Sequence, residues 1–276
     1  MIRYSVGGIF QMGGFRAIVD WWTYEFEDQI TSVAPNIVAT AVAGVGNGTQ
    51  FVDCGSPLRG LITFNNNNTC DQGVTVANDI ARVRADLTNG PKATTSGIDL
   101  SLQQDFGVVY DGNLSAGFDM SYVLEYELDD FILEGTLVNA GYDAAGFTNY
   151  DRFPGTISDW RGTAHLNYSR GPLNVRYEVT YIDGVKDNRA PINVQEGVNS
   201  ATPGALRPVT FGRKVDSFIS NNIYINYELP WETTATVSVI NLFDEDPSLS
   251  RLEISYDPFI GNPLGRVMEL SLRKTF

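Results

Sequence analysis

The sequence predicts an all-β chain whose strands run antiparallel, up and down, through a membrane as part of a β-barrel. Three observations lead there. Apolar and polar residues alternate with a period of two through much of the 276 residues, as strands with two unlike faces require. The connections alternate short and long, which suits tight turns on one side of a membrane and large loops on the other. No stretch approaches the roughly 18 consecutive apolar residues that span a bilayer as a helix, whereas a barrel strand needs only about 9 to 11.

The pattern divides into about nine strands, at 2–10, 14–29, 93–106, 112–127, 157–169, 173–184, 215–229, 233–243 and 265–276. The first, in MIRYSVGGIFQ, sets Ile2, Tyr4, Val6 and Phe10 on one parity and reads as a strand under way rather than an export signal. The second is extended, but its two faces do not separate cleanly. In the fourth, Leu114, Ala116, Phe118, Met120, Tyr122 and Leu124 oppose Asn113, Ser115, Asp119 and Ser121. In the fifth and sixth, Ala164, Leu166, Tyr168, Val175, Tyr177 and Val179 oppose Arg161, His165, Asn167, Arg176, Glu178 and Thr180. The seventh sets Ile223, Ile225 and Tyr227 against Asn222, Tyr224 and Asn226, and Val237 in the eighth sits on the apolar face. The ninth alternates to the end, with Met268, Leu270, Leu272 and Phe276 on one parity and Glu269 on the other. A soluble β-sandwich would alternate in the same way. Strand length, loop asymmetry and tyrosines near strand ends favour lipid on the apolar side.

Composition excludes one class. Against 33 acidic residues stand 19 Lys and Arg, a formal charge of −14, so no basic surface for nucleic acid is expected. Cys54 and Cys70 enclose a loop rich in glycine and asparagine. A loop-closing disulfide is favoured there over free thiols, because two cysteines and one distant histidine make no zinc site. No catalytic constellation emerges and no cofactor is called for. His165, the single histidine, reads as a lumen side chain hydrogen-bonded to its neighbours. Between 127 and 158 the carboxylates of Glu127, Asp129, Asp130, Glu134, Asp143 and Asp151 face Arg152 alone. Asp129, Asp130 and Asp143, with the rings of Phe131, Tyr142, Phe147 and Tyr150, are candidates for a ligand-facing loop; for the carboxylates a solvated surface is the plainer reading, and the rings would serve equally to pack the loop down.

The forty residues from VSVINLFDEDP to the end resemble the carboxyl-terminal part of TonB-dependent outer-membrane receptors. The matching residues are Asn241, Leu242, Phe243, Asp244 and Pro247, then Tyr256 and Asp257, then Gly265 and Arg266, then the closing strand. Upstream strands are consistent with the same family. The resemblance implies that Phe276, with Leu272 and Leu270, forms the signal read by the barrel assembly machinery. It implies partners in outer-membrane lipid, lipopolysaccharide and a nutrient ligand of unknown identity, with no enzymatic activity. The family's barrels have about 22 strands around a plug. The chain, 1–276, is therefore expected to be the carboxyl-terminal portion of such a barrel. The plug, through which TonB would act, is expected to lie outside it, and transport is not expected of this portion alone. The alternative is a soluble β-sandwich carbohydrate-binding module or a small structural, porin-like barrel.

Overall fold

The computed structural model describes residues 1–150, 152–189, 192–195, 201, 205–209 and 212–275. The chain divides into two compact units. One comprises 1–3, 24–95 and 126–143; the other comprises 4–23, 96–125 and 144–276.

Nine strands form one antiparallel sheet in strict chain order: β1 (Ile2–Met12), β2 (Phe15–Phe26), β3 (Ala93–Val109), β4 (Gly112–Leu128), β5 (Trp160–Arg170), β6 (Leu173–Ile182), β7 (Phe218–Leu229), β8 (Thr233–Ile240) and β9 (Val267–Lys274). A two-residue piece, Tyr142–Asp143, adds to β4. The sheet does not close: β1 and β9 are its two edges. This is the expected partial barrel, with all nine strands found in place. Several limits are corrected: β5 begins at Trp160 rather than 157, β7 at Phe218 rather than 215, and β8 ends at Ile240 rather than 243. In each case the alternation runs past the ladder of this sheet: Ile157 bridges instead to Ala145 and Phe147, Val215 pairs with Val185 in a separate two-stranded ladder, and beyond Ile240 the chain turns at Asn241. Phe276 lies outside the described residues.

The short connections are tight because their residues adopt positive φ. Tyr110 and Asp111 (48° and 60°) join β3 to β4, and Trp231 and Glu232 (62° and 55°) precede β8. Successive positive-φ residues match the twist of the strands they connect. Gly13 (57°) and Gly171 (54°) serve the other two turns.

Register converts the alternation into two continuous faces. Leu114, Tyr168, Val175, Ile225, Val237 and Leu270 form one cross-strand row from β4 to β9. Ala116, Leu166, Tyr177, Ile223, Val239 and Met268 form the next. Leu166 and Val237 remain 46% and 42% exposed, so among the described residues no second sheet covers this face there. On the opposite face Asn174 donates to Asn167 (3.0 Å) and to Ser169 (2.8 Å), Thr236 donates to Asn226 (2.7 Å), and Arg176 pairs with Glu178 (2.7 Å). Asn221, opposite Val179, is a polar interruption of the apolar rows, and it accepts a hydrogen bond from Tyr177 (2.6 Å). Ile18 and Asp20 of β2 line a cleft together with Asp99, Asp119 and Arg161.

The long connections, read from the sequence only as loops, contain structure of their own. In the first unit, helix α1 (Pro35–Ala43) starts on Pro35, whose missing N–H costs nothing in a first turn. It packs with the hairpin of Ile62–Phe64 and Ile80–Val83 around Val38, Val42, Val52, Leu58, Ile62 and Phe64. The Cys54–Cys70 disulfide is present, with Cα atoms 5.6 Å apart. The hydrophobic periodicity of α1 was too short to stand out, and tertiary burial decided it.

Candidate functional site

The carboxyl-terminal motif assembles into one joined turn system in the second unit. Asn241 ends β8 with φ of 53° and is 4% exposed. Its backbone N–H donates to Asn222 Oδ1 (3.0 Å), while its amide both donates to Glu245 O and accepts from Glu245 N–H, each at 2.9 Å. A short polar side chain that tolerates left-handed φ and carries both a donor and an acceptor is what this corner demands. Leu242 N–H donates to Asn221 O (2.7 Å), extending the sheet by one bond. Phe243 is left 68% exposed.

Asp244 Oδ1 accepts the Arg266 N–H at 2.6 Å, bringing the two ends of the motif together. A Cβ on Gly265, whose φ is 62°, would stand 2.8 Å from that carboxylate oxygen, so the position requires glycine. Pro247 packs on Gly261, where a Cβ would lie 2.5 Å from the proline ring. Tyr256 bridges to Leu249.

Asp257 is 1% exposed and fully engaged. One carboxylate oxygen accepts from Thr156 Oγ1 (2.6 Å), the other from Phe259 N–H (2.9 Å), and its carbonyl accepts from Gly261 N–H (3.0 Å).

A second polar centre escaped the sequence reading. Asp187 is 3% exposed and is held by Arg189 (2.7 Å) and Arg251 (2.9 Å), the latter with a side chain only 2% exposed. Arg189 also donates to Arg251 O (2.8 Å), stacks 3.9 Å from the Tyr150 ring centre, and so sits beside the Tyr150–Glu253 hydrogen bond. Burial alone would raise the Asp187 carboxyl, but the hydrogen bonds from Arg189 and Arg251 outweigh it and hold it at about 2. Glu253 is lowered by the Tyr150 hydroxyl. Asp187, Arg189 and Arg251 lie in two different connections, and no spacing rule links them. The network ties the connections after β4, β6 and β8 to one another.

The proposed ligand-facing loop runs from the first unit into the second. Its residues divide between the two units, Asp129 to Asp143 in the first and Phe147 and Tyr150 in the second. Phe131 is 8% exposed and packs into the core of the first unit, so of its two readings this ring takes the packing one. Asp130 Oδ1 accepts from Gly141 N–H (2.7 Å) and Asp143 Oδ1 from Tyr126 N–H (3.1 Å), so both carboxylates fasten backbone. Asp129 N–H bonds Lys92 O (2.9 Å). Asp129, Asp130, Tyr142 and Asp143 line an open cleft of about 630 Å³. Phe147 is half-buried and bridges to Ile157 and Lys186. Asp151 lies outside the described residues. No group of three acidic, histidine or cysteine side chains suited to a metal ion occurs among the described residues. Leu270 and Leu272 are exposed on the edge strand β9, at 71% and 67%.

The sequence matches no protein-family model and no characterised protein. Solved structures do match. The FrpB iron transporter of Neisseria meningitidis superposes on 98% of this chain with a TM-score of 0.54 and 14% identity. The siderophore receptor PirA of Acinetobacter baumannii covers 99% at 0.53 and 20%, and the outer-membrane transporter YddB of Escherichia coli covers 98% at 0.54 and 12%. The chain spans about 30% of the length of these proteins. The chain has the β-barrel fold of TonB-dependent outer-membrane receptors, present as an open sheet of nine strands.

Proposed function

We propose that this chain is the carboxyl-terminal portion of the barrel of an outer-membrane receptor that takes up a scarce nutrient with energy supplied by TonB. In this reading TonB acts through a plug supplied by the rest of the receptor. The observation that carries the proposal is the pair of unlike faces. An apolar face six strands wide stays exposed among the described residues at Leu166, Val237 and Leu270, while the opposite side carries hydrogen-bonded Asn, Thr, Arg and Glu. A soluble sandwich buries the apolar face against a second sheet; a barrel turns it to lipid. The partners that follow are outer-membrane lipid and lipopolysaccharide, the barrel assembly machinery and the nutrient. The names of FrpB and PirA make iron and its chelates the first ligand class to try, ahead of cobalamin or a glycan.

The test is accessibility in cells. Single cysteines replacing Val179 and Thr180, in a background with Cys54 and Cys70 replaced by Ser, are exposed to a water-soluble maleimide. Thr180→Cys should label and Val179→Cys should resist until the membrane is dissolved. Recovery of the chain as a soluble monomer, with both positions labelled alike, would overturn the membrane assignment. Uptake of ferric chelates by the receptor carrying this portion then tests the nutrient.

A further inference from the structure

Two Asn–Gly junctions, Asn47–Gly48 and Asn89–Gly90, occur in the first unit, and the structure makes them chemically unlike. An Asn–Gly bond is the peptide most prone to internal cyclisation, because the following amide nitrogen lacks a neighbouring Cβ to block its approach to the asparagine side chain. We propose that Asn47 is a modification site, where the chain converts its own amide to an aspartyl or isoaspartyl residue through a succinimide, and that Asn89 is protected.

The geometry at Asn47 favours the reaction at the amide that is attacked, and the nitrogen that attacks it is bonded to a side chain rather than to a strand. Asn47 Oδ1 accepts two hydrogen bonds from Thr49, from Oγ1 at 2.6 Å and from N–H at 3.2 Å. When the Gly48 nitrogen adds to Asn47 Cγ, the developing oxyanion forms on that same Oδ1, already faced by two donors. The Gly48 N–H is itself held by Gln50 Oε1 (2.8 Å), and Gln50 is anchored in turn to Gly44 O (3.1 Å), so the nitrogen is kept out of any backbone ladder. Gly48 cannot be exchanged for another residue without strain: its φ is +94° and a Cβ there would stand 2.0 Å from Asn78 Oδ1. The fold therefore preserves the reactive junction.

The step balances without redox chemistry. Hydroxide takes the Gly48 amide proton, the N–Cγ bond forms, and the Cγ–Nδ2 bond breaks with ammonia leaving on a proton from water. Water then opens the ring at either carbonyl. The loop after α1 gains one negative charge and, in the isoaspartyl product, one extra backbone methylene.

At the second junction Asn89 is also exposed, so water reaches both, but the surroundings differ. Asn89 is paired with Ile30 in a short ladder, and the Gly90 N–H is bound to Gln29 O at 2.7 Å. Cyclisation there must break the ladder first.

The experiment follows the full chain, extracted from membranes in detergent and incubated at mildly alkaline pH. Peptide mapping is restricted to molecules whose Cys54–Cys70 bridge is intact, and the same chain in denaturant serves as control. The amide-to-acid mass gain should accumulate at Asn47 and not at Asn89 in the folded chain, and at both alike in denaturant. Thr49→Ala should slow the folded-state reaction by roughly tenfold, about the worth of one hydrogen bond to the oxyanion, and leave the denatured rate unchanged. Equal conversion of Asn47 and Asn89 in the folded chain, or no effect of Thr49→Ala, would overturn the proposal. The outcome is independent of what the receptor transports.

Discussion

Thr156 and Asp257, 101 residues apart in sequence, meet in a 2.6 Å hydrogen bond with both side chains buried. One lies in the connection after β4 and the other in the connection after β8. A buried carboxylate that loses a donor keeps its desolvation cost and recovers none of it. Thr156→Val should therefore destabilise these connections by about 1–3 kcal/mol, read as faster proteolysis between 144 and 159 with the strands still protected. Asp257→Asn should cost less, since an amide still accepts from one of its two donors.

Asp187 gives a pH prediction. Its carboxyl is lowered in the folded state from the ordinary 3.8 to about 2. A group depressed in this way contributes stability that is complete above its unfolded value and lost as pH falls through its folded one. The connection after β6 should hold its protection from pH 7 down to about 4 and lose it between there and about 2. Arg251→Ala should weaken it at every pH above that window by about 3–5 kcal/mol, because the carboxylate is left buried with half its partners. Hydrogen exchange at Thr148, whose N–H bonds Lys186 O, reads both effects.

The two faces of β6 predict opposite tolerance. Val179 lies between Ala164 and Asn221 on the apolar side, and Thr180 between Thr163 and Ser220 on the polar side. An arginine near the bilayer midplane costs roughly 2–4 kcal/mol in a barrel. Val179→Arg should reduce the amount of assembled receptor in the outer membrane, and Thr180→Arg should leave it near normal.

Cys54→Ser together with Cys70→Ser should unfold the first unit more readily than the sheet. The bridge closes a separation of 16 residues, worth about 3 kcal/mol by loop entropy. Protease sensitivity should rise between 44 and 92 while the strands from β4 to β9 are unaffected.

Gly265→Ala should disrupt the carboxyl-terminal turn through two effects at once: a Cβ in left-handed φ, and a 2.8 Å approach to Asp244 Oδ1. The expected result is lower assembly of the receptor, with partial recovery when Asp244→Gly removes the clashing carboxylate. No recovery would leave φ as the whole cause.

The nine strands and their two faces were legible in the sequence because a strand's side chains alternate by covalent geometry alone. A row such as Leu166, Tyr177 and Ile223 needs only that each strand pair with its neighbour. The same held for the disulfide, since two cysteines in one loop have few alternatives. Local pattern could not show the helix Pro35–Ala43, whose nine residues are stabilised by burying Val38 and Val42 against residues as distant as Phe64. Nor could it show that Phe131 is core rather than surface, because an aromatic ring in a loop has the same sequence signature in both roles. The family motif named Asn241, Asp244, Gly265 and Arg266, but their meeting in one turn is a fact of three dimensions. Asp187, Arg189 and Arg251 had no motif at all. Their pairing spans 64 residues, and only the folded chain, by excluding water from a carboxylate, makes two guanidinium partners necessary.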